Sequence, residues 1–529
     1  LTARATLKIF GRLFIKSRKR KVAKEKDMII TTGNILLVGS IILFVSIVAG
    51  KASSRFGAPM LLFFLLVGMA FGTDGVGIEF DNFEAVQFVG MLSLSIILFS
   101  GGMDTSFDDV RPVLKEGVVL ATIGVMLTAL FTGSVIYFVG DLLGLNIPFT
   151  IALLMAAVMS STDSASVFSI LRSKRIGLKQ NLRPLLELES GSNDPMAYIL
   201  TIMLVQVNIG GDSDLWGVGL TFLSQMGIGA LAGYLLGRGA TYVVNRINIG
   251  NKSLYSVLLL SVVFFIYSFT DLLGGNGYLA VYIAGIVMGN RKLSHKKTLA
   301  TFLDGVTWLM QIVMFLMLGL LVNPHELTEI AWIGVIVGAA MIFVTRPLAV
   351  WLSLLPLGSK LTSKARHYIS WVGLRGAAPI LFATYPKLAG LDPNNRIFNI
   401  VFFITIFSLV IQGTTVGGVA KVLGVADKSP DKGFDIDLPD EVKAALTEVD
   451  IIEGGVRDGA QLRDVKLPEK TLVMMIRRGE RYIVPNGSTV LHKGDKLLLI
   501  SEEIQVQTPE IKHKEHIVLW ESIKQFIRR

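Results

Sequence analysis

The chain has 529 residues, of which 52% are hydrophobic and 17% are charged, with a formal net charge of +10. Soluble globular domains carry about 25% charged residues, so this composition excludes a single soluble domain. Cysteine is absent, which excludes disulfides and thiolate metal sites. The positive charge collects in loops and tails, so we expect no nucleic-acid partner; nothing in the sequence supports an enzymatic role or a cofactor.

Residues 1–27 form a basic segment with ten Lys or Arg. The segment lacks the apolar core and the small-residue cleavage site of a signal peptide. Met28 stands just before the first apolar run. We interpret 1–27 as an N-terminal extension that precedes the native start.

Apolar runs of about 20 residues recur between Ile35 and Ala420, each long enough to cross a hydrocarbon core about 30 Å thick. They predict an all-α polytopic membrane protein with about 13 transmembrane helices. The predicted spans are 33–50, 58–72, 84–101, 116–140, 147–171, 184–208, 216–237, 253–272, 275–290, 301–322, 331–356, 367–386 and 397–420.

Loop charge predicts the orientation, because cytoplasmic loops are enriched in Lys and Arg. Alternate loops are basic, such as 172–183 and 291–297, whereas the intervening loops are mainly acidic. This pattern predicts that the first span starts outside and that the C-terminal domain is cytoplasmic, in a cell (inner) membrane protein.

Ionisable side chains at membrane depth are costly, and each is a functional hypothesis. Ser190 and Asp194 are four residues apart on the sixth span and share a helix face, as do Glu189 and Asn193. We expect Glu187, one turn earlier, to snorkel to the basic edge. The remaining candidates are Asp163 in the fifth span, Arg346 in the eleventh and Arg375 in the twelfth.

Two spans contain residues that disfavour a continuous helix. The fifth carries the small polar run 160–166, and the twelfth carries Gly373, Gly376 and Pro379. Broken helices expose carbonyls and half-helix ends, with which transporters coordinate small cations near the midplane. Ser160, Ser161 and Ser166 are equally compatible with simple helix–helix hydrogen bonding.

These residues predict competition between a cation and a proton for one carboxylate. Deprotonated Asp194 would bind the cation, and protonation would expel it. The Asn193 amide can hydrogen-bond without adding a titrating charge, so we expect electroneutral exchange. We expect Glu189 and Arg375 to form a structural ion pair, and Arg346 to be a helix-end charge.

The motifs Ser161-Thr162-Asp163, Glu189-Ser190-x-x-Asn193-Asp194-Pro195 and Gly373-x-Arg375-Gly376-Ala377 resemble those of the monovalent cation:proton antiporter-1 family. Over about 28–424, the resemblance implies a homodimer in the lipid bilayer, inverted repeats and crossing broken helices. It implies that Asp194 binds potassium or sodium and the proton, with Asp163, Ser190 and Thr162 around it. It also implies that Asn193 stabilises the broken helix and that the ion pair of Glu189 with Arg375 is structural. The metal ion that we expect at Asp194 and Asp163 is the transported cation.

A linker at 425–440 precedes a region of short β-like runs at 448–452, 471–477, 481–485 and 496–501, with a short helix at 462–465. This α+β region, 441–505, resembles a TrkA C-terminal (RCK-C) domain, which implies a regulatory role and a small ligand. The tail 506–529 is basic and amphipathic. His513 and His516 in this tail are more readily solvated than metal-binding.

Two alternatives to an antiporter remain. A potassium channel or efflux system with an RCK-C domain would need a carbonyl-lined filter, for which Gly275-Asn276-Gly277-Tyr278 is a poor substitute. A transporter of organic solutes would need a more aromatic lining. The glycines at 227, 229 and 233 lie in an apolar span and predict helix packing.

Overall fold

The computed structural model describes residues 35–56, 59–210, 215–428, 446–450, 459–465, 467, 471–479 and 481–501. The basic extension 1–27, Met28, most of the linker, the two tail histidines and the amphipathic tail lie outside the described residues. Two compact units divide the chain, Leu1–Ser429 and Pro430–Arg529.

The first unit is helical. In chain order its helices are α1 (Ile35–Phe56), α2 (Met60–Phe71), α3 (Phe83–Asp104), α4 (Phe107–Leu142), α5 (Phe149–Val158), α6 (Ser164–Ser173), α7 (Leu182–Gly210), α8 (Leu215–Arg246), α9 (Ser253–Leu272), α10 (Gly277–Gly289), α11 (Lys296–Leu320), α12 (Pro324–Leu354), α13 (Ser363–Trp371), α14 (Ala377–Phe382), α15 (Thr384–Leu388) and α16 (Arg396–Val422).

Among the described residues, seven of these helices are long and apolar enough to cross a membrane: α3, α4, α8, α9, α11, α12 and α16. Four shorter apolar helices, α1, α2, α5 and α10, accompany them. The helical membrane class is therefore as predicted. The count of thirteen spans and the inverted repeats stay predictions.

Both predicted helix breaks are observed. The fifth span is divided into α5 and α6 by 159–163, and the twelfth into α13 and α14 by 372–376. The two interruptions meet, because the backbone N–H of Asp163 donates a 2.7 Å hydrogen bond to the carbonyl of Leu374. Extended backbone at this depth is tolerated only inside the protein, and each interruption supplies the other with a partner.

Glycines allow α8 and α10 to pack closely in the same unit. A Cβ at Gly233 of α8 would lie 2.6 Å from the carbonyl oxygen of Ala280 on α10. Glycines 229 and 237 make similar approaches to α10. The glycine pattern of this span therefore packs helices, as predicted, except that Gly227 faces open space.

A two-stranded antiparallel ladder lies at the C-terminal end of the first unit. Strand β1 (Ile176–Leu178) follows α6, and strand β2 (Ala426–Lys428) follows α16, with Gly177 opposite Asp427. The N–H of Lys179 extends the ladder by donating to the Val425 carbonyl at 3.0 Å. The segment between α6 and α7 is thus tied to the chain that leaves the last span.

The second unit contains an antiparallel sheet of order β3-β6-β4-β5 within its described residues. The strands are β3 (Leu446–Asp450), β4 (Thr471–Arg478), β5 (Arg481–Ile483) and β6 (Lys496–Ser501), with a 3-10 turn at Leu462–Asp464. The predicted strands and short helix are therefore observed within a few residues of their expected bounds. The apolar face of the sheet is buried, with Val473, Ile476, Leu491, Leu497 and Leu499 forming its core.

Candidate cation site

One face of α7 lines a cavity of about 250 Å³. Glu187, Ser190, Gly191 and Asp194 follow one another on this face at helical spacing, and all four line the cavity. The helix continues through Pro195 without ending. The sequence pattern alone therefore brings these residues to one face.

The interrupted segment between α5 and α6 is hydrogen-bonded to this face of α7. The Ser161 hydroxyl donates to the Asp194 carboxylate. The Asn193 amide donates to the Thr162 hydroxyl at 2.5 Å, and the Ser190 hydroxyl donates to the Thr162 carbonyl at 2.9 Å. Four of the predicted site residues take part in these bonds, Ser190, Asn193 and Asp194 on α7 and Thr162 in the interruption.

Asp163 lines the cavity and also caps a helix. It is the N-cap of α6, and its carboxylate accepts hydrogen bonds from the Ser166 N–H at 3.1 Å and the Ser166 hydroxyl at 2.6 Å. The first of these bonds satisfies a backbone N–H that has no partner within the helix. Gly376 lies so near that a Cβ there would be 2.6 Å from the Asp163 carboxylate.

The cavity runs from Asp194 to the ends of neighbouring helices, where Asp104, Arg172, Arg183 and Glu187 line it. Arg183 pairs with Glu187 at 2.9 Å, and the Glu187 side chain is 29% exposed. Glu187 therefore reaches the basic end of α7, as expected. The cavity that Asp194 lines is therefore open at the end of α7 where Arg183 and Glu187 are partly exposed.

The other side of Asp194 is filled by aromatic rings. Tyr198, one turn further along α7, packs edge-on against Tyr278 with ring centroids 4.9 Å apart and against Tyr385 at 5.5 Å. Phe382 lies 5.9 Å from the Tyr198 ring. These large side chains separate Asp194 from the opposite end of α7.

The predicted pair between Glu189 and Arg375 is wrong. The carboxylate of Glu189 pairs with Arg346 of α12, and both side chains are almost fully buried. Arg375 instead donates to the carbonyls of Ser160 and Ser161, the first at 2.8 Å. The reason is that Arg375 lies in the second interruption, directly beside carbonyls that the first interruption leaves without helical partners.

Sequence reasoning therefore missed the role of Arg346. A lone arginine in the apolar run of α12 was the available signal, because a charge at membrane depth requires a partner. The partner lies 157 positions away in the chain. No local pattern indicates which of two arginines reaches Glu189.

The described residues contain no group of three or more His, Cys, Asp or Glu side chains that could hold a resident metal ion. The cavity offers a different donor set, namely the carboxylates of Asp163 and Asp194, the Ser190 and Ser161 hydroxyls, and nearby carbonyls. Hard oxygen donors of this kind suit alkali cations.

Comparison with known proteins agrees with these features. Residues 40–422 match the family described as sodium/hydrogen exchanger, transmembrane, and residues 446–508 match the TrkA-C domain. The chain is 38% identical over 475 residues to the K(+)/H(+) antiporter NhaP2 of Shewanella oneidensis, covering 88% of this chain and 81% of that protein.

Two further relatives are a K(+)/H(+) antiporter NhaP of Alkalimonas amylolytica and an Na(+)/H(+) antiporter NhaH of Halobacillus aidingensis. The first is 36% identical over 477 residues, with 89% of this chain and 82% of that protein covered. The second is 32% identical over 349 residues, with 63% and 83% covered.

Among solved structures, the sodium proton antiporter MjNhaP1 of Methanocaldococcus jannaschii superimposes with a TM-score of 0.62 at 22% identity, covering 72% of this chain and 99% of that one. This likeness shows a common fold. Together with the match over most of the chain, it leads to one conclusion: the protein is a polytopic membrane protein of the sodium/hydrogen exchanger family that carries a C-terminal TrkA-C domain.

Proposed function

We propose that the protein exchanges a monovalent cation for protons, with Asp194 as the carboxylate for which the two compete. One observation carries this proposal. The Asp194 carboxylate lies on the cavity and receives a hydroxyl from Ser161, but no basic side chain among the described residues pairs with it. A carboxylate without a countercharge at this depth needs either a proton or a bound cation.

The surrounding residues support alternating occupancy. Ser161, whose hydroxyl donates to Asp194, belongs to the interrupted segment between α5 and α6. Binding of a proton or a cation to the carboxylate therefore changes a hydrogen bond of the crossing itself. Deprotonated Asp194 binds the cation together with uncharged oxygens and the Asp163 carboxylate. Protonation removes the charge that holds the cation. Reorientation follows only when one of the two occupies the site.

We infer electroneutral exchange from the chemistry of Asn193. Its amide donates to Thr162 and adds no titrating charge beside Asp194. Asp194 then takes up either one cation or one proton, while the Asp163 carboxylate, which caps α6, takes no part in the proton exchange. The net charge moved per cycle is zero.

Potassium is the cation we propose. The relatives that match about 88% of this chain are named as K(+)/H(+) antiporters, whereas the relative named as an Na(+)/H(+) antiporter matches 63%. The TrkA-C domain favours the same ion, because such domains accompany potassium transport systems. We place the C-terminal domain and the open end of the cavity on the cytoplasmic side, since Arg172 and Arg183 line that end.

We further propose that the C-terminal domain regulates transport through the β1–β2 ladder. Strand β2 is formed by the first residues of the linker, and along the chain β1 lies between α6, which Asp163 caps, and α7, which carries Asp194. A displacement of β2 is therefore transmitted through the backbone hydrogen bonds of the ladder to β1, and from β1 to α6 and α7. The ladder offers a short physical route for such coupling.

The segment 275–278, which the channel alternative would need as its selectivity filter, does not have the geometry of a filter. Asn276 caps α10 by accepting the Leu279 N–H at 2.9 Å, and its amide donates to the Pro195 carbonyl at 3.0 Å. Tyr278 is fully buried. This segment therefore begins a helix instead of presenting a row of carbonyls to a pore.

Proteoliposomes with an internal pH indicator test the proposal. Addition of potassium, and separately of sodium, should move protons in the wild type, with a potassium preference. Asp194→Asn should abolish exchange with either ion. Asp141→Asn, which removes an exposed carboxylate at the end of α4, is the matched control and should exchange normally. Unaltered exchange in Asp194→Asn would overturn the proposed site.

A further inference from the structure

Tyr282 of α10 faces the same cavity as Glu187, Gly191 and Asp194 of α7. It lines the cavity although only 2% of the residue is exposed. Its ring covers Gly191, so closely that a Cβ there would lie 2.7 Å from the hydroxyl oxygen. Gly191 lies about 4.5 Å along the helix axis from Asp194 and one turn from Glu187. The hydroxyl is therefore level with the middle of the cavity-lining face of α7 between Glu187 and Asp194.

Glycine contacts fix the backbone beneath Tyr282. Gly102 of α3 meets the carbonyl of Tyr282 itself, and a Cβ at Gly102 would not fit. One turn on, Gly285 approaches the Phe99 carbonyl, and Gly289 approaches the Met103 carbonyl. Because α3 and α10 touch along three successive turns, the Tyr282 side chain is presented from a rigid base.

No group among the described residues meets the Tyr282 hydroxyl at hydrogen-bonding geometry. The Thr105 and Ser192 hydroxyls are the nearby polar groups, and the Thr105 hydroxyl already donates to the Gly101 carbonyl at 2.7 Å. A buried hydroxyl without a partner is unfavourable, and buried polar groups of this kind call for an explanation. A tyrosine oxygen can accept from a water molecule or coordinate a cation while its proton is donated elsewhere. Thr105 and Ser192 are available to receive that proton.

We propose that the Tyr282 hydroxyl is a binding group for the transported cation, supplying one neutral oxygen ligand between Glu187 and Asp194. A cation that leaves the cavity mouth must lose water before it reaches the carboxylate. The hydroxyl replaces part of that water at the level of Gly191. This inference rests on the proposed exchange at Asp194 and adds a residue that contributes to cation affinity.

Tyr282→Phe removes the oxygen and keeps the ring against Gly191. The apparent KM for potassium should rise about tenfold, the effect of losing one such interaction, and the maximal rate should change less than the KM. Tyr368→Phe is the matched control. Tyr368 is also fully buried with an unpartnered hydroxyl, but it does not line the cavity, so its KM should equal that of the wild type.

Thermal unfolding of the purified full-length protein in detergent gives a readout independent of transport. In choline chloride, Tyr282→Phe should unfold at or above the wild-type temperature, since no satisfied hydrogen bond is lost. Replacing choline with potassium stabilises the folded protein in proportion to its affinity. The variant should need about tenfold more potassium for the same rise in Tm, and Tyr368→Phe should need no more than the wild type.

The outcomes separate this inference from the proposed function. If wild-type vesicles exchange cations for protons and Tyr282→Phe has the wild-type KM and potassium-dependent Tm, the assignment of Tyr282 is wrong. An equal KM rise in Tyr368→Phe would also overturn it, because the effect would then be a general one of buried hydroxyls. Absence of exchange in the wild type would instead refute the proposed function.

Discussion

The carboxylate of Glu189 is paired with the guanidinium of Arg346, and this pair joins α7 to α12 inside the helical unit. The exposed fractions of the two side chains are 1% and 2%. Removing one partner of a buried pair leaves an uncompensated charge. The pair therefore holds the Asp194 helix against a helix far away in the chain.

The first prediction concerns that pair. Glu189→Gln should lower the free energy of unfolding by about 3–5 kcal/mol, and the double variant with Arg346→Gln should lose less than the sum of the single variants. A double-mutant cycle in detergent measures this coupling. The matched cycle of Glu189→Gln with Arg375→Gln should show a smaller coupling energy, because Arg375 is hydrogen-bonded to carbonyls. A larger coupling to Arg375 would contradict the observed pairing.

The second prediction concerns charge movement. Asn193→Asp places a second titrating group beside Asp194, so transport should become electrogenic. Solid-supported membrane electrophysiology should record transient currents after a potassium jump in this variant and none in the wild type. Asn193→Ala should slow transport without producing current, since it removes the bond to Thr162 but adds no charge. Absence of current in Asn193→Asp would remove the support for the proposed stoichiometry.

Gly376 provides a third prediction. In Gly376→Ala the methyl group would lie 2.6 Å from the Asp163 carboxylate, so the carboxylate must move and the cap on α6 must weaken. Loss of such a cap costs about 1 kcal/mol, and we expect a comparable loss of stability with slower exchange. Gly418→Ala in α16 is the control, because nothing lies within 4 Å of that position. Equal behaviour of the two variants would show that the approach of Gly376 to Asp163 does not matter.

The fourth prediction is a pH dependence in the C-terminal unit. Burial raises the pKa of Asp495, but hydrogen bonds from Arg478 and the His492 N–H, with the charges of both residues, outweigh burial and lower the pKa from its ordinary 3.8. The group thus stabilises the fold fully above pH 3.8, and this contribution is lost as pH falls through the lower folded pKa. Asp495→Asn should lose about 1–3 kcal/mol near neutral pH and show a flatter acid dependence.

Hydrogen exchange of the β4 and β6 amides in the full-length protein, corrected for intrinsic rates, measures this effect. Asp464→Asn is a suitable control, since Asp464 is largely exposed and lies 4.0 Å from its Arg463 partner. Its acid dependence should match that of the wild type. A wild-type slope in Asp495→Asn would show that the Arg478 pair is not the source.

The fifth prediction tests the β1–β2 ladder. Asp427→Pro removes the β2 backbone N–H that faces Gly177. The bond from the Lys179 N–H to the Val425 carbonyl makes 179/425, and therefore 177/427, the hydrogen-bonded pairs of the ladder. If the ladder carries regulation, the variant should show the same potassium dependence of exchange as a protein truncated after Lys428. Asp427→Ala keeps the N–H and should behave as the full-length wild type. A wild-type profile in Asp427→Pro would exclude the ladder as the route.

Local chemistry in the sequence determined the membrane class, the two helix breaks and the face of α7 that carries Ser190 and Asp194. Apolar length, poor helix formers and helical spacing act between near neighbours, so they can be read directly from the chain. The strands of the C-terminal unit followed from equally local turn and β patterns.

Only the tertiary structure decided which arginine meets Glu189 and that Tyr282 covers Gly191. Both depend on the rotation and register of helices that are distant in sequence, which are set by close glycine contacts and by the bond between Asp163 and Leu374. Arg375 donates its hydrogen bonds to the carbonyls of Ser160 and Ser161 at the crossing, so Glu189 pairs with the other buried guanidinium, that of Arg346. No local periodicity encodes that choice.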